Sequence, residues 1–249
     1  MQSFKSCAAP LVFCLILGAS PGCGGGPVSE DAEEGARAEP VSEYMRDHFG
    51  QVRGVQVGVI RGDLRAVRAA ARWVATQESL DGMPPEWEPY VAQMRGAAEA
   101  AAVAPDIATA ALATAAMGLT CGACHEAMQR YPQFLALARP PEADETVPHM
   151  IGHMWAADRM WKGLVTPSAV SWSDGVAALS GEPLGEEDLA PASDDAGELA
   201  ALTALAAKVH HLAAQGRAVA EVDAQAEIYG QFLATCAECH QMSGVAGEQ

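Results

Sequence analysis

Apolar residues along this chain recur at helical rather than alternating spacing. "SEYMRDHFGQVRGVQVGVI" (42–60) makes a first helix, stopped at "RGD", where Gly62 ends it and Asp63 can cap the next, "LRAVRAAARWVATQE". The loop "LDGMPPEWEP" breaks the chain with Gly and Pro. "WEPYVAQMRGAAEAAAVA" makes a third helix, and Pro105 with Asp106 opens a fourth, "IATAALATAAMGLTCGACHEAM". Short connections between four helices predict an up-down-up-down bundle. Residues 131–148, "YPQFLALARPPEADETVP", read as an interdomain connection, after which the scheme repeats. "HMIGHMWAADRMWKGLV" and "TPSAVSWSDGVAAL" are the next two helices, the second with Thr166 as cap and Pro167 in its first turn. An acidic loop, "GEPLGEEDLAPASDDAGE", precedes "LAALTALAAKVHHLAAQ" and "AVAEVDAQAEIYGQFLATCAECHQM", separated at Gly216.

The repetition can be put in register. A shift of 105 residues carries Met45, His48 and Phe49 onto Met150, His153 and Met154, and Gly62-Asp63-Leu64 onto Pro167-Ser168-Ala169. The two segments "CGACH" and "CAECH" match at a shift of 115, and the ten extra residues fit within the acidic loop. Repeats of this length are whole domains rather than solenoid units. No segment has the alternation or the β-branched richness of a strand, and Ala, Leu, Met, Glu and Arg dominate. The expected fold is all-α, two tandem antiparallel four-helix bundles at 42–130 and 149–243 with a short tail at 244–249.

The N-terminus is organised differently. Lys5 precedes "APLVFCLILGA", an apolar stretch too short to span a bilayer, and "SPGC" follows. That is a secretory signal, and it resembles a bacterial lipoprotein signal in which Cys23 is lipidated and becomes the first mature residue. Pro21 and Ser20 depart from the usual small residue and Leu; ordinary cleavage nearby is the other reading. Residues 24–41 are Gly-, Pro- and acid-rich and read as a flexible tether. Of seven cysteines, Cys7 and Cys14 leave with the signal and four stand in the paired motifs, so Cys23 is the odd one, which lipidation would explain. Losing the signal removes one positive charge and takes the net charge from −17 to about −18. Such a surface excludes nucleic acid as a partner and favours partners with basic patches.

C-x-x-C-H is the spacing of a c-type haem attachment site. Two thiols add across two vinyl groups of one haem, and the adjacent imidazole takes the iron from below. Cys121, Cys124 and His125 would hold one haem, and Cys236, Cys239 and His240 a second. A Cys₄ zinc site built from both pairs is the rival, but it leaves the two histidines unexplained. A thioredoxin-like pair lacks its βαβ setting.

At the end of a fourth helix, these motifs resemble those of class II cytochromes c, the cytochrome c-prime family of four-helix bundles. The resemblance covers roughly 42–130 and 149–243 and rests on motif position and helix count; one bundle per chain is usual there, so the tandem is a departure. It implies that the start of helix 1 faces the haem, where the family either leaves the distal side open or fills it with a side chain. Here that position offers His48 and His153, with Met45, Met150 and His149 as alternatives. His210 and His211 lack counterparts and read as surface; Tyr229 and Phe232 read as pocket or core packing. Bis-histidine ligation implies a non-enzymatic electron carrier, exported and membrane-anchored, passing electrons between redox proteins or respiratory complexes. An open distal side would instead imply binding of NO or CO. A dihaem peroxidase needs two dissimilar haems, which near-equivalent repeats argue against.

Overall fold

The structure is a computed structural model that describes residues 30–135, 137–141 and 146–244, with side chains from Pro40 onward. Among the described residues there is no strand; the chain is all-α. The signal segment, Cys23, the first part of the tether and the tail from 245 lie outside them. The helices are α1 (Glu30–Ile60), α2 (Leu64–Thr76), α3 (Glu88–Ala102), α4 (Ile107–Met128), α5 (Thr146–Val165), α6 (Ala169–Ala178), α7 (Glu186–Leu189), α8 (Ala196–Ala218) and α9 (Val222–Met242).

The boundaries follow local chemistry. Gly62 takes φ +71, a conformation that favours glycine, and the Ala66 N–H donates to the Asp63 carboxylate at 2.9 Å to start α2. Asp106 caps α4 in the same way through Thr109 N–H at 2.7 Å. At α6 the cap is Ser168, which accepts from Ser171 N–H, and not Thr166 as expected; the Thr166 hydroxyl instead donates back to Lys162 O inside α5. Helix α1 begins at Glu30, so residues 30–41 are helical rather than a flexible tether. Ala, Glu and Arg in that stretch are strong helix formers and need no apolar stripe to propagate a helix already nucleated by its packed end.

The described residues from Val41 onward form one compact unit, in which both sequence halves contribute to a single core. Val52, Val55 and Val59 of α1, Val67 of α2, Met117 of α4, Trp161 of α5 and Phe232 of α9 all belong to it. Helices α4 and α9 meet along small residues. A Cβ on Gly230 would lie 2.8 Å from Leu112 and 3.4 Å from Ala115 Cβ, so the two helices approach nearly backbone to backbone. Ala115 and Gly230 are themselves partners under the 115-residue shift. Arg53 and Asp158, partners under the 105-residue shift, form an ion pair at 3.1 Å. Matched residues touching each other is the signature of two halves related by a two-fold axis.

The acidic loop is more structured than its composition suggests. It holds α7, and Leu184 and Leu189 bury against Leu202 and Ala206 of α8 in a small separate cluster. Tyr229 and Phe232 are fully buried, and the Tyr229 hydroxyl accepts from Gln56 and donates to Ala157 O, tying α9 to α1 and α5. By length and composition α4 alone among the described helices could cross a membrane, but α4 is packed against α3, α5 and α9.

Candidate cofactor sites

Cys121, Cys124 and His125 stand at i, i+3 and i+4 near the C-terminus of α4, on one helix face. They line a cavity of about 550 Å³ together with Met45 and His48 from α1. That size lies within the roughly 300–1,000 Å³ usual for ligand sites. Met94 of α3, Trp161 of α5 and Phe134 close the walls. Phe134 belongs to the segment expected to be a mere connection; it packs on Phe49 with ring centroids 5.0 Å apart.

His48 is 4% exposed. Its Nδ1 lies 2.9 Å from the Tyr44 carbonyl, which can only accept, so Nδ1 carries the proton and Nε2 a lone pair. Nε2 is buried without a partner. Burial lowers the pKa of His48, and the nearby Arg95 guanidinium adds to that, so the ring stays neutral. Arg95 also sits beside the Tyr44 hydroxyl and anchors on the Gln77 carbonyl.

The histidines of the two C-x-x-C-H motifs share one arrangement. His125 Nδ1 lies 2.7 Å from the carbonyl of Val165 at the end of α5, and His240 Nδ1 lies 2.6 Å from the carbonyl of Ile60 at the end of α1. Each ring is therefore oriented by a carbonyl from the other half, and Ile60 and Val165 are again partners under the shift of 105. In both rings the proton is fixed on Nδ1 and Nε2 is left to accept or ligate, the usual outer-shell support of a metal-bound histidine. Gln241 donates to Gly62 O at 2.9 Å, beside the second contact.

Cys121 and Cys236 are free thiols, each pushed up to about 12 by burial and by the neighbouring cysteine of its motif. Neither is a thiolate at neutral pH, which disfavours a redox or nucleophilic role for the bare pair. Cys121 and Cys124 lie on α4 and Cys236 and Cys239 on α9, and no cluster of the four with metal-ligand geometry occurs among the described residues.

The second half differs on its distal side. Cys239 packs with Met150 and Met242 against the small leucine cluster, and His240 lies close enough to His153 to lower its pKa. But His153 lines a separate cavity of about 370 Å³ whose walls include His149, His210 and Glu182, and the cysteine-motif residues are not among them. The nitrogens of His149, His153 and His210 lie within 4.8 Å of one another. His210, expected at the surface, is half-buried in this group; His211 is exposed and pairs with Gln215 at 3.1 Å.

Register explains the group. The shift of 105 carries Tyr44 onto His149, and the shift of 115 carries Arg95 onto His210. The triad Tyr44–His48–Arg95 of the first half is thus His149–His153–His210 in the second. The correspondence was present in the sequence, but only the helix packing shows that residue 95 reaches residues 44 and 48. No protein family, curated protein or solved structure matches this chain.

Proposed function

We propose that the chain is a dihaem c-type cytochrome of class II-like helical units fused in tandem, serving single-electron transfer. One observation carries the reading. The histidine following each cysteine pair has its Nδ1 proton held by a carbonyl, and in the first half a second buried imidazole with an unpartnered Nε2 lines the same ligand-sized cavity. Bound there, haem would supply a one-electron iron couple. Cys121, Cys124 and His125 would hold and orient the first group, with His48 as a second imidazole donor on the same cavity. Cys236, Cys239 and His240 would hold the second, with His153, Met150 and His149 as further candidate donors. Apolar side chains, Trp161 and Phe134 among them, make up most of the lining of the first cavity and suit an apolar ring. Attachment of haem c belongs to an exported compartment, which agrees with the signal-like start and a lipid anchor at Cys23; an acidic surface suits basic redox partners.

The test is expression in a host competent in haem c maturation, followed by covalent haem quantification and spectra with and without CO. Two haems per chain are expected, falling to one in Cys121→Ser/Cys124→Ser. The first haem should be low-spin and indifferent to CO, becoming high-spin and CO-sensitive in His48→Ala. CO binding to the wild-type first haem would instead favour a gas-binding role. A chain recovered folded with no haem sinks the proposal.

A further inference from the structure

We propose that His149, His153 and His210 form a binding site for one divalent transition-metal ion, separate from the two cysteine motifs. Three imidazoles from α5 and α8 converge with ring centroids 4.6, 5.3 and 5.8 Å apart. His149 Nε2, His153 Nε2 and both nitrogens of His210 are buried without a hydrogen-bond partner. Backbone groups of Leu179 and Gly181 lie near His210 and favour its charged form, yet none completes a hydrogen bond to the ring. Leaving a buried polar atom unsatisfied forfeits the hydrogen bond it had with water. Four such atoms in one place call for something that binds them together.

Packing alone does not explain the trio. The first half fills the same three positions with Tyr44, His48 and Arg95, where the Tyr44 hydroxyl, His48 Nε2 and Arg95 Nε are also buried without a partner, but only one of the three side chains is an imidazole. Histidine at both flanking positions replaces a phenol and a cationic guanidinium with imidazoles, so that all three side chains offer a ring nitrogen to one ion. Imidazole suits Zn²⁺, Cu²⁺ and Ni²⁺ and not Ca²⁺ or Mg²⁺. Zinc–nitrogen bonds of about 2.0–2.1 Å set tetrahedral donors about 3.4 Å apart, so donor atoms now within 4.8 Å of one another need to close by at most about 1.4 Å. The fourth position opens on the 370 Å³ cavity, with Glu182 on its wall, so water or an anionic ligand can complete the shell. The assignment takes His153 from the second iron's candidates and leaves Met150, which packs, like Cys239, against the small leucine cluster. It does not rest on the haem reading, because zinc uptake is measured on the full chain whether or not haem is present.

The experiment is calorimetric titration of the full-length purified chain, stripped with chelator, with Zn²⁺, alongside metal content after dialysis. One Zn²⁺ per chain is expected. His149→Ala and His210→Ala should each weaken it by more than about tenfold, as loss of a first ligand exceeds the roughly 10–100-fold seen for outer-shell partners. His211→Ala, the exposed neighbour, should leave uptake unchanged, and helical circular dichroism should show all variants folded. Absence of stoichiometric uptake, uptake indifferent to His210→Ala, or equal loss in His211→Ala overturns the site. So does a change in the second haem's spin state in His153→Ala, which would give that histidine to iron. Failure of haem attachment with zinc uptake intact would overturn the cytochrome reading alone.

Discussion

On α1, His48 stands between Tyr44 and the Arg95 guanidinium; at the matched place on α5, His153 stands between two further imidazoles. On the opposite side of each site the halves agree: His125 and His240 both rest on a carbonyl lent by the other half. The proximal arrangement lies where the halves brace each other, so neither can drift without disturbing its partner. The triad of Tyr44, His48 and Arg95, or of His149, His153 and His210, joins two helices of the same half, α1 with α3 or α5 with α8, and is at liberty to diverge. Constraint by a shared interface, rather than distance from a cofactor, separates the positions that match from those that do not.

The sharpest way to break the symmetry is at Gly122 and its match, Ala237. A Cβ on Gly122 would press into the Leu164 backbone oxygen, whereas Ala237 carries its methyl fully buried without conflict. Gly122→Ala should therefore cost on the order of 3 kcal/mol, since a rigid carbonyl cannot yield as a side chain would. Ala237→Gly should cost about 1 kcal/mol in helix propensity, somewhat more with the lost methyl. Denaturant midpoints of the two variants check this, and equal losses would show that the α4–α5 contact is no tighter than its mate.

A second difference is visible in acid. Burial, reinforced by His149, His210 and His240, pulls His153 down to about 3 from an ordinary 6.5; His48 is lowered too, chiefly by burial. A group with its folded-state pKa depressed leaves the unfolded chain binding more protons between those values, so stability falls as pH drops below about 6.5 and goes on falling toward 3. In the haem-free, chelator-treated chain that loss should reach at most a few kcal/mol. His153→Gln should flatten the dependence more than His48→Gln. An acid limb unchanged in both variants would place the titration elsewhere.

Transplanting the trio tests the comparison directly and more gently. Tyr44→His/Arg95→His gives the first half the second half's three donors, and zinc titration should then find a second ion per chain, at least tenfold weaker without either change. That is about 1.4 kcal/mol of new binding. If no second ion binds, the match between α3 and α8 is not close enough to carry the trio.

Much of this was legible in advance. The main helices, the stop at Gly62, the cap at Asp106 and the C-x-x-C-H motifs follow from local rules: spacing, caps and a bonding pattern. What escaped were facts set by packing between segments far apart in sequence. Composition marks 131–148 as a connection, yet Phe134 walls the first cavity while Arg139 and Pro140 line the second. The acidic loop hides Leu184 and Leu189 among carboxylates, where no period reveals them. His210 reads as surface on α8 because its partners are on α5. The single core spanning both halves depends on Gly230 and Ala115 being small at the same level, which a helical pattern does not record.

The smallest expected effect probes the cross-brace itself. Gly62 has φ +71, and a Cβ there would lie 2.5 Å from the Gln241 side chain, next to the Ile60 carbonyl that holds His240. Gly62→Ala should cost about 1–2 kcal/mol for the left-handed backbone, with the glutamine shifting aside. More telling is where the disturbance is read. Residue 62 belongs to the first half, but the histidine it supports belongs to the second, so under the proposed dihaem reading the second haem's spectrum and potential should move while the first stays fixed. The shift should be modest because Ile60 O itself is retained. A change confined to the first haem would mean that Gly62 acts through α1 and His48, and the reciprocal bracing would then be a contact without consequence.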